Sequence, residues 1–400
     1  MTGDKKLNPY IRLVFFFALF AISIGDAFNV LFIRDMAAEF APEGKLDIYT
    51  SIPVTMMSAM MIVGVCSSEY IAKVSKSFSS FLITAIIFSG AGMIVRGLAT
   101  HYIVMLIGFM AVGFGYGCFY IGIRYYAYLF ADEKDQMETL AMISGGAFAG
   151  QCMGCVLGGI MAGQMAYRTV YLFAVLLMIP ALVLCIKHKV NAHITTGGLA
   201  RSLKNLRRPR VLMYLILMVV PMFACTVFTS YTVPLETDAF GYSATMISAL
   251  LLGASMLSAY AGPFMTGFFT TNMQPKSATY IYCIAISFLI AVFELGNSFP
   301  LLVLVVLLIG LMDSFGPNVM TGAFTQITGN SDGAKGEGLI LFILFTRIGM
   351  TIAPSVILLF GSSLALSGMV ITGLALFMLL GTIANIITEK RGTNEKSDKI

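Results

Sequence analysis

Twelve stretches of this 400-residue chain are long and apolar enough to cross a lipid bilayer, and short polar loops separate most of them. A bilayer-crossing helix needs about 20 mostly apolar residues. Runs of that kind fall at 11–33, 49–72, 79–99, 102–129, 139–166, 168–187, 211–235, 243–270, 276–295, 299–327, 336–360 and 364–388. Hydrophobic residues fill 58% of positions and charged residues only 11%, with a mean hydropathy of +0.88. That leaves too little charge to cover a water-soluble domain of this size, whereas an apolar solvent demands it. The expectation is an all-α membrane protein with twelve transmembrane helices. The first run follows Lys5, Lys6 and Arg12 and lacks a small-residue cleavage site, so it is expected to be a retained span and not a signal peptide.

The seven cysteines lie in or beside apolar spans, and an odd number there argues against a disulfide framework. Cys152 and Cys155 form a C-x-x-C, but no histidine cluster or second cysteine pair accompanies them, so neither a metal nor a cofactor is expected. There is no Trp; the interfacial aromatic role is expected to fall to Tyr10, Tyr49, Tyr102, Tyr167 and Tyr214.

Lys and Arg fix the expected orientation. With the N-terminus inside, 19 of the 25 basic residues fall on the inner side, 4 on the outer side (Arg34, Lys45, Arg96, Arg168), and Arg124 and Arg347 lie within spans. That asymmetry places both termini in the cytoplasm. The longest inner loop carries the basic stretch Arg201 to Arg210. The expected layout is a six-helix bundle over 1–187, a basic linker over 188–210, a second six-helix bundle over 211–390 and a tail over 391–400. A weak internal echo supports two related halves: IRDMAAEF at Ile33–Phe40 and VPLETDAF at Val233–Phe240, each after the first span of its half.

Several motifs then point to a family. Between spans 2 and 3 the chain reads Gly64-Val65-Cys66-Ser67-Ser68-Glu69-Tyr70-Ile71-Ala72-Lys73, close to G-x-x-x-D-(R/K)-x-G-(R/K) but with the acid one place late and the second glycine missing. Span 5 reads Gly150-Gln151-Cys152-Met153-Gly154-Cys155-Val156-Leu157-Gly158-Gly159, which is G-x-x-x-G-P-x-x-G-G with its proline replaced. Span 4 carries Gly113-Phe114-Gly115-Tyr116-Gly117. With the 6+6 spans and the basic central loop, the chain resembles the major facilitator superfamily, nearest to its organic-anion, monocarboxylate and proton-antiporter branches. The resemblance implies a cavity lined by spans 1, 4, 7 and 10, with spans 3, 6, 9 and 12 facing outward.

The charges agree with that layout. Interiors 81–95, 170–186, 277–293 and 364–388 hold no Asp, Glu, Lys or Arg, while Asp26, Glu69, Arg124, Asp313 and Arg347 lie on spans 1, 2, 4, 10 and 11. Charge facing lipid is costly, so such residues mark a solute or ion pathway. Asp26, with Ser23 and Asn29 at i±3, is expected to couple protons or contact substrate; the alternative is a hydrogen-bonded structural carboxylate. Arg347 suits an anionic group through its planar fork. Asp313, expected like Asp26 to couple protons and contact substrate, lies within about one turn of Arg347 in depth, so Asp313 and Arg347 are expected to pair, either permanently or between transport steps. Pro317 cannot donate to the Asp313 carbonyl and should bend span 10, which makes it a gating candidate together with Glu69. Arg124, Tyr120 and Gln151 complete the expected binding set with Asn29, and Tyr116, Asn318 and Tyr231 are further cavity candidates. Glu236, Asp238 and Glu294 are expected to be solvated at outer ends.

No G-x-x-x-x-G-K-[ST] run is present, and no catalytic constellation stands out, so neither nucleotide-driven transport nor an enzyme is expected. The resemblance implies a monomeric secondary active transporter of the plasma membrane. It would move a small organic solute, preferably an anion, by alternating access with proton coupling, and bind no nucleic acid. The alternatives are a proton-driven exporter of drugs or metabolites, and a transporter-like sensor or scaffold.

Overall fold

The computed structural model describes residues 9–75, 77–126, 133–161, 167–189, 199–225, 228, 232–296, 298–329, 332–360 and 364–397. The expected candidate Tyr231 lies outside them. The described residues form helices and no strands. The first six are α1 (Pro9–Ala38), α2 (Leu46–Ser75), α3 (Phe78–Gly97), α4 (Tyr102–Tyr125), α5 (Glu133–Met161) and α6 (Tyr167–Lys187). The basic linker yields α7 (Leu199–Lys204) and a 3₁₀ turn, Asn205–Arg207. Then follow α8 (Pro209–Tyr214), α9 (Val220–Ala224), α10 (Val233–Ala239), α11 (Ala244–Asn272), α12 (Pro275–Gly296), α13 (Phe299–Asp313), α14 (Gly316–Thr328), α15 (Asp332–Phe360) and α16 (Leu364–Ser397). Helical segments thus fall on each of the twelve apolar stretches. Eight helices among the described residues are long and apolar enough to cross a membrane, and α13 with α14 forms one further span bent by 40°.

Two apolar cores organise the chain. The first is built from α1–α6, with Leu339, Ile340 and Ile343 of α15 packed onto it; the second is built from α8 through α16. Helix pairs within the first approach closely because glycines remove side chains at the crossings. A Cβ on Gly113 or Gly117 of α4 would lie 2.1 or 2.2 Å from the Met57 or Met61 carbonyl oxygen of α2. One on Gly146 or Gly150 of α5 would lie 2.6 or 2.2 Å from the Phe16 or Phe20 carbonyl oxygen of α1. These spacings of four put small residues on one helix face, so that backbones meet directly. The span-5 glycine motif is therefore used for packing against α1.

Two spans are broken, each at proline. The seventh, expected as one helix over 211–235, is α8, a π-helical turn at Leu215–Val219, α9 and, past Thr232, α10. Pro221 has no N–H to give the Leu217 carbonyl, which accounts for the widened turn ahead of it. The tenth breaks between Asp313 and Gly316, where the missing Pro317 donor removes the bond to the Asp313 carbonyl. Gly316 is needed at that break: a Cβ there would come 2.1 Å from the ring of Tyr282, which is fully buried.

Two sequence expectations are corrected here. Tyr214 is no interfacial residue; it is 1% exposed, and its hydroxyl donates to the Met320 carbonyl at 3.1 Å. Glu236 is buried and not solvated, because α10 folds back against α11 and α13.

Replacing Gly117 by Val should drive α4 off α2 at Met61 and cost about 1–3 kcal/mol of overpacking. The expected readout is a clear drop in the thermal unfolding midpoint of the detergent-solubilised protein, larger than for Gly267→Val, where no atom lies within 4 Å of the added Cβ.

Candidate functional site

Arg347 of α15, 3% exposed, stands where α15 meets α2 and α4. Its Nη1 donates to the thioether sulfurs of Met61 on α2 (3.4 Å) and Met350 (3.1 Å). Its guanidinium carbon stands 5.0 Å from the ring centroid of Tyr116 and 4.5 Å from that of Tyr120, both on α4. Its Nε has no partner. The guanidinium also hydrogen-bonds with the Tyr116 side chain. Thioether sulfur is a weak acceptor, a ring face a diffuse one and a phenol a neutral one, so this buried cation has only uncharged partners and forms no ion pair among the described residues.

Arg124, one turn beyond Tyr120 on α4, is better served. It donates to the Tyr120 hydroxyl at 2.9 Å and to Asn318 Oδ1 of α14 at 3.3 Å, and its guanidinium carbon lies 5.2 Å from the Tyr120 ring. Tyr120 therefore faces two arginines. The Arg124–Asn318 bond joins the first six helices to α14, and beside it the Tyr125 hydroxyl donates to the Gly336 carbonyl of α15 at 3.3 Å. These links lie at the end where α4 finishes.

The same end carries the linker. Glu69 pairs with Lys73 at 2.8 Å and accepts from the Leu199 N–H at 3.3 Å, which ties α2 to α7. Asn205 donates to Glu337 of α15 at 3.0 Å, and Arg208 donates to the Thr328 carbonyl of α14 at 3.1 Å. Glu69 thus holds a linker that crosses from one core to the other.

Toward the opposite end lies Asp26 on α1. It is half-buried, its Oδ1 is shielded and without a partner, and it lies within electrostatic range of Arg96, Arg347 and Tyr116. Asn29, one turn on, does not reach the Arg347 cluster. Its Oδ1 accepts from Arg96 Nη1 at 3.1 Å and from the Tyr171 hydroxyl at 2.7 Å, so it faces α3 and α6. Gln151 is half-buried on α5 and makes no hydrogen bond among the described residues.

The structure does not form the expected Arg347–Asp313 pair. Asp313 ends α13 and accepts from the Tyr282 hydroxyl of α12 at 2.8 Å, turned into the second core. Depth along the helix was the basis for pairing them, and depth carries no information about rotation around the axis. Pro317 sits in the first turn of α14, one residue before Asn318.

Arg96 is the residue that the sequence reading missed. It stood near a span end and was assigned to the outer aqueous side, yet it is 1% exposed, the largest fully buried side chain. Its guanidinium carbon is 4.7 Å from the Phe109 ring centroid and 4.6 Å from that of Tyr171. The signal was in the glycines. A Cβ on Gly108 would meet Arg96 Cγ at 2.6 Å, and one on Gly25 would come 3.5 Å from its Nη2.

Residues 14–354 match the sequence profile of the Major Facilitator Superfamily. A search of curated protein sequences finds no match. Among solved structures, the chain is similar to the Major Facilitator Superfamily transporter FucP in the outward conformation, at 15% identity over 96% of this chain and 99% of that one, with TM-score 0.67. The human organic anion transporter MFSD10 is similar at 14% identity over 95% and 100%, TM-score 0.67. A D-xylose-proton symporter is similar at 13% identity over 92% and 96%, TM-score 0.70. Identities this low speak for fold alone. The profile covers most of the chain and the fold agrees with it: this is a multi-pass membrane protein belonging to the Major Facilitator Superfamily of secondary transporters.

Proposed function

We propose that the chain carries a small organic anion across the plasma membrane, with its carboxylate bound by Arg347 between the two six-helix halves. The observation that carries this reading is the set of partners around Arg347. A guanidinium in protein surroundings stays charged, and burying it without a hydrogen-bonded anion is expensive. Here the donors meet two thioethers, two ring faces and the Tyr116 side chain, uncharged partners that a carboxylate displaces readily because charge-assisted, bidentate bonds are about twice as strong as neutral ones. Arg124, held by Asn318 and Tyr120, serves as a second positive wall. Tyr116, Tyr120, Met61 and Met350 offer apolar and aromatic surface to the rest of the substrate. MFSD10, whose fold is similar, is an organic anion transporter, which supports the same class.

Asp26 supplies the coupling. A substrate carboxylate and an ionised Asp26 both draw on Arg347, and one cation cannot offset two anions in a low dielectric. Proton uptake at Asp26 removes the competition, so anion and proton enter together. FucP and the xylose carrier, two proteins of similar fold, are both proton symporters by description, which supports the same coupling. Asp313, half-buried and bonded to Tyr282 of the second core, serves as a separate carboxylate, and Asn29 as support for α3 and α6. The basic linker and its neighbours support a cytoplasmic position for that end of the bundle and for both termini. The hydrogen bonds from α4 to α14 and α15 close the cytoplasmic end, so substrate enters from outside, and release requires Arg124–Asn318 and Tyr125–Gly336 to part. The glycines of α5 that suggested an exporter serve packing on α1 and carry no direction of transport.

A thermal-shift screen of the detergent-solubilised protein with benzoate, lactate, pyruvate and acetate tests the anion site. At least one should stabilise the parent, and Arg347→Gln should weaken it about tenfold or more, the loss of one charged hydrogen bond of about 1.5–3 kcal/mol. A folded Arg347→Gln protein that binds carboxylates as tightly as the parent overturns the reading. In proteoliposomes, Asp26→Asn should keep exchange of the bound carboxylate at equal pH on both sides while losing accumulation driven by a pH gradient. Undiminished gradient-driven accumulation removes Asp26 from coupling.

A further inference from the structure

Arg96 has no part in the transport reading so far, yet its surroundings are built for it. A Cβ on Gly108 would overlap its Cγ, Gly92 lets α3 approach α4 beside it, where a Cβ would strike the Gly108 carbonyl oxygen at 2.7 Å, and Gly25 of α1 lies against its Nη2, with a Cβ there in ordinary contact at 3.5 Å. Two rings sandwich the guanidinium, and one hydrogen bond, to Asn29 Oδ1, fixes its direction. Nε and Nη2 are left without acceptors in a site closed to solvent. An arginine that served packing alone would not need its fork aimed at α1 with two donors idle. What lies beside Gly25 on α1 is Asp26, whose Oδ1 is likewise shielded and without a partner.

The charges that face Asp26 from the packed elements are Arg96 on α3 and Arg347 on α15, with the Tyr116 hydroxyl on α4. Asp26 forms no ion pair with either arginine among the described residues: Arg347 donates to methionine sulfurs, while Arg96 keeps two unused donors beside Gly25. In a low dielectric a buried cation with unused donors draws a neighbouring carboxylate toward it.

We infer that Arg96 is a positioning residue that restrains the Asp26 carboxylate on the α3 side and so keeps Arg347 open to an external anion. Without that restraint the nearest anion to Arg347 is Asp26 itself, which would occupy the binding guanidinium as an internal mimic of the substrate. Asn29 has a defined part in this arrangement. Its neutral amide oxygen orients Arg96 and leaves the charge of Arg96 available to Asp26. This inference rests on the proposal that Arg347 binds the substrate carboxylate.

The test is exchange of the best-binding carboxylate of the four-compound panel in proteoliposomes, at equal pH on both sides, with KM and kcat separated. Arg96→Gln should raise KM about tenfold or more, because Asp26 then competes for Arg347, and adding Asp26→Asn should bring KM back to within about threefold of Asp26→Asn alone. Arg96→Lys, which keeps the charge, should stay near the parent. Asn29→Asp gives Arg96 a carboxylate of its own in an unchanged shape. It should raise KM as Arg96→Gln does, so the idea stays testable even where Arg96→Gln fails to fold. A merely structural Arg96 would lower yield and kcat with no relief from Asp26→Asn. An unchanged KM in both Arg96→Gln and Asn29→Asp, or a raised KM that Asp26→Asn does not relieve, overturns the inference while leaving Arg347 in place. If Arg347→Gln binds as the parent does, or no panel member binds the parent, the site reading fails and this inference with it.

Discussion

An arginine side chain keeps its charge even when it is enclosed, so each guanidinium inside this bundle constrains what surrounds it. Among the described residues three are enclosed, and each is accommodated differently. Arg124 has directional partners in Asn318 and Tyr120, and holds helices together. Arg96 has one amide oxygen and two rings, with Gly108 leaving room for its stem. Arg347 has sulfurs, π-faces and the Tyr116 side chain, all uncharged. An incoming anion outmatches such partners, and Arg347 also stands where α2, α4 and α15 meet.

The helical architecture was legible because lipid removes most alternatives. With no water to bond the backbone, long apolar runs become helices, and lysine and arginine mark the loops. The small-residue spacing in spans 4 and 5 also translated directly into backbone contact. The cluster of Arg347, Arg124 and Tyr120 was legible for the same reason that makes charge rare in membranes. What failed was anything that depends on rotation about a helix axis. Asp313 matched Arg347 in depth but faces Tyr282, and Asn29 shares a stripe with Asp26 but turns toward Arg96 and Tyr171. Arg96 was misplaced because proximity to a span end looked like access to water. Distances between glycines on three separate helices would have been needed to see that a long side chain fills the space.

The breaks at proline sort into two kinds. At Pro317 the sequence announced the bend, since the missing donor and Gly316 stand together, and the bend delivers Asn318 to Arg124. At Pro221 the same missing donor gives a π-helical turn in the middle of the seventh span, a change of winding that a simple count of apolar residues smooths over. Both breaks lie in the second core, which is therefore the less regular partner.

The linker's anchoring has one more consequence. Its contacts fall on α2 through Glu69 and on α14 and α15 through Thr328 and Glu337, so the segment is fastened on both sides of the seam like a hasp. Any opening of the bundle at this end has to detach the hasp from one side. A modification or binding event on these few surface groups therefore gains leverage over a gate whose transported cargo never touches them.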